Sequence, residues 1–413
     1  MSFTPRQTLR VGFVGAGFIA HFHLKSLLGV RNVEVTGVYS PTPAKRQKFA
    51  EAVGELGLGT CTAHESLEAM LAADNVDAIW ILSPNPTRLA TMQVIADAVK
   101  SGRSKVFAVA CEKPLARTLK EARQMLALVE GAGLNHGYLE NQVFSTAVQR
   151  GKEIIWRRAV PSSGRPYLAR AAEEHSGPHE PWFWQGEEQG GGVLLDMMCH
   201  SVEVGRFMLT APGAARSTLK FKSATGAVAV LKWAQPKYAA DLKKRMGNAV
   251  DYAKRPSEDF ARGMLSFEDE AGNEVIIEAT TSWAYVGAGL RIQLELLGPE
   301  YALEFSSLST PLKIFISRAV TGGEGEDLVE KQNAETGLMP VLEDEAGVYG
   351  YTDENRHMVE AFRKGETPIE TFADGVAVIE LLMALYKSAE EGRTVSADED
   401  LTDYVPVVAR RAS

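Results

Sequence analysis

The sequence predicts two domains of different class: an N-terminal α/β domain with a doubly wound parallel sheet, and a C-terminal α+β domain with an open, mostly antiparallel sheet. The chain has 413 residues, whereas one hydrophobic core rarely grows beyond roughly 250 to 300 residues. Strand-like and helix-like patterns alternate over about the first 140 residues, as they do in parallel sheets. After Gly151 the strand-like segments follow one another without crossover helices, which is typical of antiparallel sheets. We therefore predict domains at residues 1–140 and 141–413, with the alternative that the C-terminal helices pack back on the first domain.

In the first domain, each predicted strand is a short apolar segment that leads through a turn into a helical pattern. The strands are predicted at residues 9–14, 33–39, 76–82, 105–110 and 134–139, and the helices at residues 18–28, 43–53, 66–73, 87–100 and 118–130. Doubly wound domains bind their ligands at the carboxyl ends of the strands. Gly15, Ser40, Ser83 and Glu112 all fall at that edge of the sheet.

The turn after the first strand has the spacing of a dinucleotide-binding turn. It reads Gly15-Ala16-Gly17-Phe18-Ile19-Ala20 and lies between a strand and a helix. Gly15 suits the tight turn, Gly17 removes a side chain that would block a pyrophosphate, and Ala20 lets helix and strand pack closely. The N–H groups at the start of the helix favour the phosphate charge. We predict that a nicotinamide dinucleotide binds here.

The residues after the second strand bear on the choice between NAD and NADP. The segment Val38-Tyr39-Ser40-Pro41-Thr42 contains no carboxylate that could bind a ribose 2′-hydroxyl. Ser40, Thr42, Lys45 and Arg46 offer hydroxyls and cations for a 2′-phosphate instead. The cofactor is therefore expected to be NAD or NADP, with NADP favoured.

The second domain combines strands, a basic insertion and two terminal helices. Its strands are predicted at residues 166–171, 217–233, 263–267, 274–283, 290–297 and 312–317, and its helices at 354–363 and 374–391. Residues 236–260 form a polar insertion with several lysines and arginines. This insertion is either a solvated helical excursion or an electropositive lid for an anionic substrate. Residues 321–347, rich in glycine and glutamate, are predicted to be a surface loop.

Composition excludes several classes of partner. Acidic residues outnumber basic ones by 53 to 44, and the net charge of -9 argues against a nucleic-acid partner. No apolar run approaches the roughly 18 residues that a membrane span needs, and no signal-peptide core precedes the first strand. Three scattered cysteines form neither a disulfide framework nor a zinc cluster. We expect a cytoplasmic protein without a metal site or a membrane partner.

Lys113 is a candidate catalytic residue because it directly follows a buried-type strand, between Glu112 and Pro114. From that position a lysine could reach both the nicotinamide ribose and a substrate hydroxyl. Partial burial near a cationic nicotinamide would lower its pKa, so that it could share the proton of an alcohol being oxidised. The alternative is an ordinary surface lysine in a turn.

Asp196 and His200 are the other catalytic candidates. They are four residues apart in a helical segment that begins at Val193, so their side chains share one face, about 6 Å apart at Cβ. A carboxylate beside an imidazole orients the ring and makes it a stronger base. The run Gly190-Gly191-Gly192 before this helix would let the chain approach the nicotinamide. The alternative is a pair that only stabilises the helix.

The segment 173–185 concentrates aromatic and hydrogen-bonding side chains. Sugar rings stack their apolar faces on aromatic rings and pair their hydroxyls with donors and acceptors. We predict substrate contacts from His175, His179, Trp182 and Trp184. The alternative is a loop that fills the core.

These motifs together resemble those of the Gfo/Idh/MocA family, which groups glucose-fructose oxidoreductase, inositol dehydrogenase and rhizopine-catabolism proteins. The resemblance covers nearly the whole chain. It runs from Gly15-Ala16-Gly17 through Ser83-Pro84-Asn85 and Glu112-Lys113-Pro114-Leu115-Ala116 to Asp196 and His200. Two residues depart from the family pattern: Met198 stands where a glycine is usual, and Arg88 where a histidine is usual.

The resemblance implies a Rossmann domain, a carbohydrate substrate and a homo-dimer or homo-tetramer. It also implies that Lys113, Asp196 and His200 are the catalytic set. The cofactor contacts that we expect are Gly15, Gly17, Phe18, Ile19, Ser40, Thr42, Arg46, Ser83, Asn85, Arg88, Glu112 and Lys113.

Three functions remain open from the sequence. The first is an NAD(P)-dependent oxidoreductase that moves hydride between the cofactor and a hydroxyl-bearing carbon of a sugar, cyclitol or glycoside. The second is an NAD-dependent glycosidase that oxidises its substrate transiently, eliminates the leaving group, adds water and reduces the product again. It needs an added acid or base, for which Glu174, His175 and His179 are candidates. The third is a dinucleotide-gated sensor without catalysis.

Overall fold

The computed structural model describes residues 4–247, 250–317, 336–342 and 344–410. The chain divides into two compact units. The first comprises Met1–Phe144 and Gly350–Ile379, and the second comprises Ser145–Tyr349 and Glu380–Ser413. The first unit contains a parallel sheet and the second a mostly antiparallel one. The predicted fold class is confirmed.

The secondary structure alternates in the first 140 residues and becomes strand-rich afterwards. The strands are β1 (Leu9–Val14), β2 (Val33–Tyr39), β3 (Thr62–His64), β4 (Ala78–Ile81), β5 (Ala108–Glu112), β6 (Asn135–Leu139), β7 (Leu168–Glu174), β8 (Lys220–Ala229), β9 (Phe260–Glu268), β10 (Glu274–Ser282), β11 (Arg291–Gly298), β12 (Tyr301–Ser306), β13 (Lys313–Ile316), β14 (Gly337–Pro340) and β15 (Val395–Ser396). The α-helices are α1 (Phe18–Ser26), α2 (Pro43–Glu55), α3 (Leu67–Leu71), α4 (Asn85–Lys100), α5 (Leu119–Gly131), α6 (Thr146–Ile154), α7 (Val160–Ser163), α8 (Gly186–Gln189), α9 (Val193–Leu209), α10 (Pro236–Met246), α11 (Glu345–Val348), α12 (Tyr351–Lys364) and α13 (Phe372–Glu391).

The sheet of the first unit is six-stranded and parallel, in the order β3-β2-β1-β4-β5-β6. The order reverses direction between β1 and β4, where doubly wound sheets open a ligand crevice. The central strands β4 and β5 are fully buried because helices cover both faces of such a sheet. The edge strand β3 was not predicted, since its three residues Thr62-Ala63-His64 lack an apolar pattern.

Helix α12 belongs to the first unit although it lies more than 200 residues further along the chain. A Cβ on Gly137 of β6 would lie 2.4 Å from the sulfur of Met358, so this glycine makes room for α12. The ring of Phe362 meets Trp80 of β4 edge-on, with centroids 5.8 Å apart. These contacts cover the β4–β6 side of the sheet.

The second unit is built on a seven-stranded sheet in the order β12-β11-β7-β10-β9-β8-β15. Strand β7 runs parallel to β10, and the other neighbouring pairs are antiparallel. Side chains alternate cleanly along β11, where Ile292, Leu294 and Leu296 are buried. Helix α9 packs against β7 and β10 and is buried over its whole length.

The predicted insertion at residues 236–260 contains α10, so the helical interpretation describes its first half. The prediction of a loop at residues 321–347 is wrong in part, because β14 and most of α11 lie within that range. Residues 321–335 and 343 of that prediction lie outside the described residues. Among the described helices, none combines the length and the apolar character that crossing a membrane requires.

Candidate functional site

The two glycines of the first turn are glycine for different reasons. Gly15 has φ +114°, and a Cβ on it would lie 2.7 Å from the carbonyl oxygen of Leu82. Gly17 has an ordinary φ of -90°, and a Cβ on it would have no described neighbour within 4 Å. Gly17 is also the N-cap of α1 and gives its first turn no side-chain cap. Phe18 is 49% exposed beside it and Ile19 is half-buried. The turn therefore leaves open space before N–H groups that no side chain of Gly17 caps, as phosphate binding requires.

The end of β2 gathers the residues predicted to choose between NAD and NADP. Ser40 is buried, and its carbonyl oxygen accepts a hydrogen bond of 3.1 Å from Nη1 of Arg46. Thr42 is exposed and is the N-cap of α2, to which its side chain gives no cap. Two hydroxyls, of Ser40 and Thr42, and the guanidinium of Arg46 thus lie near the end of the strand, with no acidic residue in the first turn of α2.

The turn after β4 is tied to the turn after β5 by Arg88. Arg88 is only 4% exposed. Nε donates to the carbonyl oxygen of Ser83 at 2.9 Å, and Nη1 donates to the carbonyl oxygens of Glu112, at 2.7 Å, and of Pro114. The charged group of Arg88 is therefore engaged with backbone in the first unit. Asn85, predicted with it, is buried at the start of α4.

Glu112 ends β5 and is held by a buried network that the sequence did not predict. Its Oε1 lies 2.9 Å from Nε2 of His23, and Nδ1 of the same ring lies 2.9 Å from the amide nitrogen of Asn355. The indole N–H of Trp80 donates to Oδ1 of Asn355 at 3.0 Å, which leaves the amide nitrogen as the donor to His23. Nε2 of His23 then carries the proton that it donates to Glu112.

Charge in this network is unevenly distributed. Burial alone would raise the pKa of Glu112, but the hydrogen bond from His23 and the nearby Lys113 and Arg88 hold that pKa below its ordinary value. The pKa of the fully buried Glu354 is raised well above its ordinary value by burial and by the neighbouring carboxylates of the first unit. Of these two buried carboxyl groups, Glu112 is therefore ionised and Glu354 is neutral.

Lys113 follows Glu112 directly and is half-buried. The peptide bond between Lys113 and Pro114 is cis. The backbone on both sides of Lys113 is fixed, by Arg88 at the carbonyl groups of Glu112 and Pro114 and by His23 at the Glu112 side chain. The lysine is thus presented by a rigid turn at the carboxyl end of β5.

Asp196 and His200 lie one turn apart on α9 in the second unit, and both are buried. The indole N–H of Trp283 donates to Oδ2 of Asp196 at 3.2 Å. Nε2 of His200 lies 3.8 Å from Oε2 of Glu173 on β7. The sequence did not single out Trp283 or Glu173, because their relation to α9 arises only when the sheet packs on the helix.

The four predicted substrate contacts divide into core and accessible residues. Trp184 is 2% exposed and lies in a cluster of rings, 5.2 Å from Trp283 between centroids. His175 is buried, with its Nδ1 accepting from the N–H of Gly177 at 2.9 Å. Trp182 is half-buried and His179 is exposed. Trp184 is therefore a core side chain of the second unit.

The glycine run before α9 is required by contacts inside the second unit. Gly190 has φ +98° and ends α8. A Cβ on Gly191 would lie 2.2 Å from Oη of Tyr386, and a Cβ on Gly192 would lie 2.5 Å from the carbonyl oxygen of Glu258. The space that the glycines leave is therefore occupied by these two residues, which the sequence did not indicate.

Comparison with known proteins places both units in one family. Residues 9–138 match the oxidoreductase family with an NAD-binding Rossmann fold, and residues 165–397 match the C-terminal α/β domain of that family. The chain is 24% identical over 399 residues to the inositol 2-dehydrogenase of Rhizobium meliloti (strain 1021), covering 94% of this chain and 99% of that protein. It is 25% identical over 400 residues to the D-glucoside 3-dehydrogenase of Escherichia coli (strain K12), covering 94% of this chain and 97% of that protein.

A solved structure supports the same assignment at the level of the fold. GenD2 from gentamicin A biosynthesis, crystallised in complex with NAD, is similar with a TM-score of 0.74 at 24% identity. The similarity covers 96% of this chain and 100% of that chain. Both domain profiles, the two full-length relatives and this fold lead to one conclusion: the chain belongs to the Gfo/Idh/MocA family of oxidoreductases.

Proposed function

We propose that this protein is an NAD(P)-dependent dehydrogenase or reductase that acts on a hydroxyl-bearing carbon of a sugar, cyclitol or glycoside. The observation that carries the proposal is the buried acid-base pair of α9, in which Asp196 accepts from Trp283 and His200 lies one turn further on. Membership of the family supports it, as does the likeness to an inositol dehydrogenase and a glucoside dehydrogenase.

The first turn of the first unit fits a dinucleotide. Gly17 would leave room for a pyrophosphate, and the N–H groups at the start of α1 would hold its charge, since Gly17 has no side chain that could cap them. When bound, the nicotinamide supplies the hydride acceptor of the oxidation or the hydride donor of the reduction.

We assign the protein's own chemistry to three side chains. In the oxidative direction the imidazole of His200 takes the proton of the substrate hydroxyl, and Asp196 stabilises the imidazolium that forms. The ammonium group of Lys113 stabilises the developing alkoxide. In the exchanged assignment, Lys113 is the base and His200 is the stabilising group. The two assignments predict different pH dependences of kcat for the variants Lys113→Ala and His200→Ala.

Turnover of purified variants tests these roles. Lys113→Ala and His200→Ala are each expected to lower kcat by at least about a hundredfold, because acid-base and electrostatic groups typically contribute that much. Dinucleotide affinity of His200→Ala, measured by protein fluorescence, stays within about threefold of wild type, because His200 is not among the expected cofactor contacts and the turn after β1 holds the phosphates. Lys100→Ala, an exposed lysine of α4, is the matched control. Near-wild-type turnover of both variants contradicts the assignment.

One observation supports the glycosidase alternative. Its mechanism needs an acid or base beyond the redox set, and Glu173 places a buried carboxylate beside His200. Incubation of the enzyme with chromogenic glycosides in heavy water separates the two functions. A glycosidase releases the chromophore, exchanges a carbon-bound hydrogen and shows no net cofactor reduction. A dehydrogenase accumulates reduced cofactor, and a sensor does neither.

We further propose that the chain forms a homo-oligomer through the sheet of the second unit. On the exposed face of this sheet, Arg170 donates hydrogen bonds across the strands to Glu278 and Glu295. Met264 on β9 is 42% exposed. Sedimentation velocity of the wild type and of Met264→Glu measures the assembly. A buried glutamate at the interface would shift the distribution toward the monomer, because a charge there has to be desolvated.

A further inference from the structure

Helix α9 begins without a cap from its own sequence. Its N-cap residue is Gly192, which has no side chain to accept hydrogen bonds from the first turn. The first N–H groups of a helix have no partners inside it and need outside acceptors when they are buried. The first bond inside this helix runs from the N–H of Asp196 to the carbonyl oxygen of Gly192, at 3.2 Å.

Two distant residues supply every acceptor that the first turn needs. Oε1 of Glu258 accepts from the N–H of Gly192 at 2.9 Å and from that of Leu194 at 3.1 Å. Oη of Tyr386 accepts from Gly192 at 2.9 Å and from Leu195 at 3.2 Å. The backbone oxygen of Glu258 accepts the remaining N–H, from Val193, at 3.1 Å.

The two residues also hold each other. Tyr386 donates its hydroxyl proton to Oε1 of Glu258 over 2.5 Å. Both side chains are buried, and each fills the space left by a missing Cβ, Tyr386 at Gly191 and Glu258 at Gly192. An acceptor oxygen at a helix N-terminus also interacts favourably with the helix dipole. The result is a closed clamp made from the loop before β9, from α13 and from the start of α9.

We propose that Glu258 and Tyr386 are positioning residues that fix the register and orientation of α9, and through it Asp196 and His200. The proposal rests on the function proposed above, in which those two side chains carry the acid-base chemistry. Asp196 is the first residue after the clamped turn, so any fraying of that turn moves its carboxylate. A displacement of about 1 Å at a reacting group can cost a hundredfold in rate.

The test compares four variants of the full-length protein. Tyr386→Phe removes the hydroxyl that joins the clamp, and Glu258→Ala removes the carboxylate. Glu258→Gln keeps an oxygen acceptor in the same place and is the conservative rescue. Tyr301→Phe is the control, because that hydroxyl donates to the carbonyl oxygen of Gly164 and does not touch α9. The readouts are amide hydrogen exchange of the peptide around residues 190–200, kcat, and dinucleotide affinity.

The proposal predicts that loss of the clamp changes amide exchange and kcat but leaves dinucleotide affinity unchanged. Tyr386→Phe and Glu258→Ala should speed exchange of the first-turn amides by about tenfold or more, since the outside acceptors are lost. Both should lower kcat by about ten- to a hundredfold, with dinucleotide affinity near wild type. Glu258→Gln should recover most of the rate and the protection. If Glu258→Ala does not fold, Tyr386→Phe and Glu258→Gln decide the question by the same readouts.

Two results would overturn the clamp: exchange in Tyr386→Phe like that of Tyr301→Phe, or a loss of kcat in Glu258→Gln equal to that in Glu258→Ala. Failure of the proposed function looks different. It appears as a wild-type protein that turns over none of the sugars, cyclitols or glycosides tested. The exchange measurement still applies to that protein, where faster first-turn exchange supports the clamp and unchanged exchange contradicts it.

Discussion

Gly15 and Gly17 show how one motif combines a structural and a functional demand. Gly15 is held at a positive φ against the backbone of the neighbouring strand, so it serves the fold whether or not a ligand is present. A Cβ on Gly17 would meet no described atom, and the backbone conformation there suits any residue. A glycine that the fold does not need is best explained by a ligand that needs the space.

Alanine at each position should therefore give opposite results. Gly15→Ala is expected to lower the free energy of unfolding by at least about 2 kcal/mol, because a strained φ and a backbone clash are added together. Gly17→Ala should leave stability unchanged and weaken dinucleotide binding by about tenfold or more, a loss of about 1.4 kcal/mol. Urea denaturation and fluorescence titration measure the two effects. Wild-type affinity in Gly17→Ala would contradict a pyrophosphate at this turn.

Arg46 is the residue on which the preference for NADP depends. One of its nitrogens is anchored on the carbonyl oxygen of Ser40, and the rest of the guanidinium is available at the end of β2. Arg46→Ala should weaken NADP binding by about ten- to a hundredfold, since charge-assisted hydrogen bonds to a phosphate contribute roughly 1.5 to 3 kcal/mol. NAD binding should change little. Lys48→Ala, an exposed cation of the same helix, is the control, and tighter binding of NAD than NADP by the wild type would refute the preference.

At the scale of elements, Arg88 joins the turn after β4 to the turn after β5. Its buried guanidinium satisfies carbonyl oxygens from both turns, which would otherwise be desolvated without partners. The family pattern has a histidine at this position, and an imidazole has only two ring nitrogens for the same task. Arg88 thus supports the Lys113 turn through two of its nitrogens, Nε and Nη1.

Replacing Arg88 should loosen that turn. Arg88→Met keeps the length of the side chain and removes the donors, so we expect a loss of about 2 to 4 kcal/mol in unfolding free energy. Arg88→Lys should recover only part of it, because one ammonium group cannot reproduce the separate Nε and Nη1 contacts. Thermal unfolding of both variants, with exposed Arg103→Met as the control, measures the difference. Equal stability of Arg88→Met and wild type would show that the turns are held by other contacts.

Hydrophobic periodicity predicted many elements of both units, but it missed the helices α6 and α7 and the strands β3, β12 and β15. The patterns of β1, β2, α4 and α9 come from local sequence, which predicts these elements close to their observed positions. Strands β3 and β15 are short, and their positions depend on the backbone of a neighbouring strand. The capping of α9 also lies beyond sequence reasoning, because its acceptors are 66 and 194 residues from Gly192.

The same limit separates the candidate site residues from their partners. Lys113, Asp196 and His200 could be proposed because lysine, aspartate and histidine carry recognisable chemistry at recognisable spacings. His23, Glu173 and Trp283 could not be connected with them, since packing alone brings those side chains to Glu112, to His200 and to Asp196. The aromatic segment also shows the limit: its composition could not distinguish Trp184 in the core from the half-buried Trp182.

For the molecule as a whole, buried carboxyl groups set part of the pH dependence of stability. Burial raises the pKa of Glu258 from an ordinary value of 4.5 to about 7, although Tyr386 and the N–H groups of α9 oppose that shift. The folded state therefore holds this proton over a pH range in which the unfolded state has released it. Between these two values the free energy of unfolding falls as the pH rises. Glu354 acts in the same direction because its pKa is also raised.

Glu258→Gln should remove the Glu258 part of this dependence. Glutamine does not titrate, so the decline between pH 4.5 and about 7 should become smaller by about 3 kcal/mol. Urea denaturation at pH 5 and pH 7.5 measures the difference for each protein. Glu300→Gln, an exposed residue of the same unit, should decline as wild type does. Equal declines in Glu258→Gln and wild type would mean that Glu258 titrates normally in the folded state.

The contribution of α12 to the first unit decides how the protein can be divided for experiments. Asn355 completes the hydrogen bonding of His23, and Met358 and Phe362 cover the sheet beside Gly137 and Trp80. A recombinant fragment that stops at residue 144 would expose that apolar surface and aggregate, although its sequence contains the whole nucleotide-binding motif. To obtain this domain in soluble form, residues 350–379 have to be joined to the fragment in the gene, either by circular permutation or through a linker.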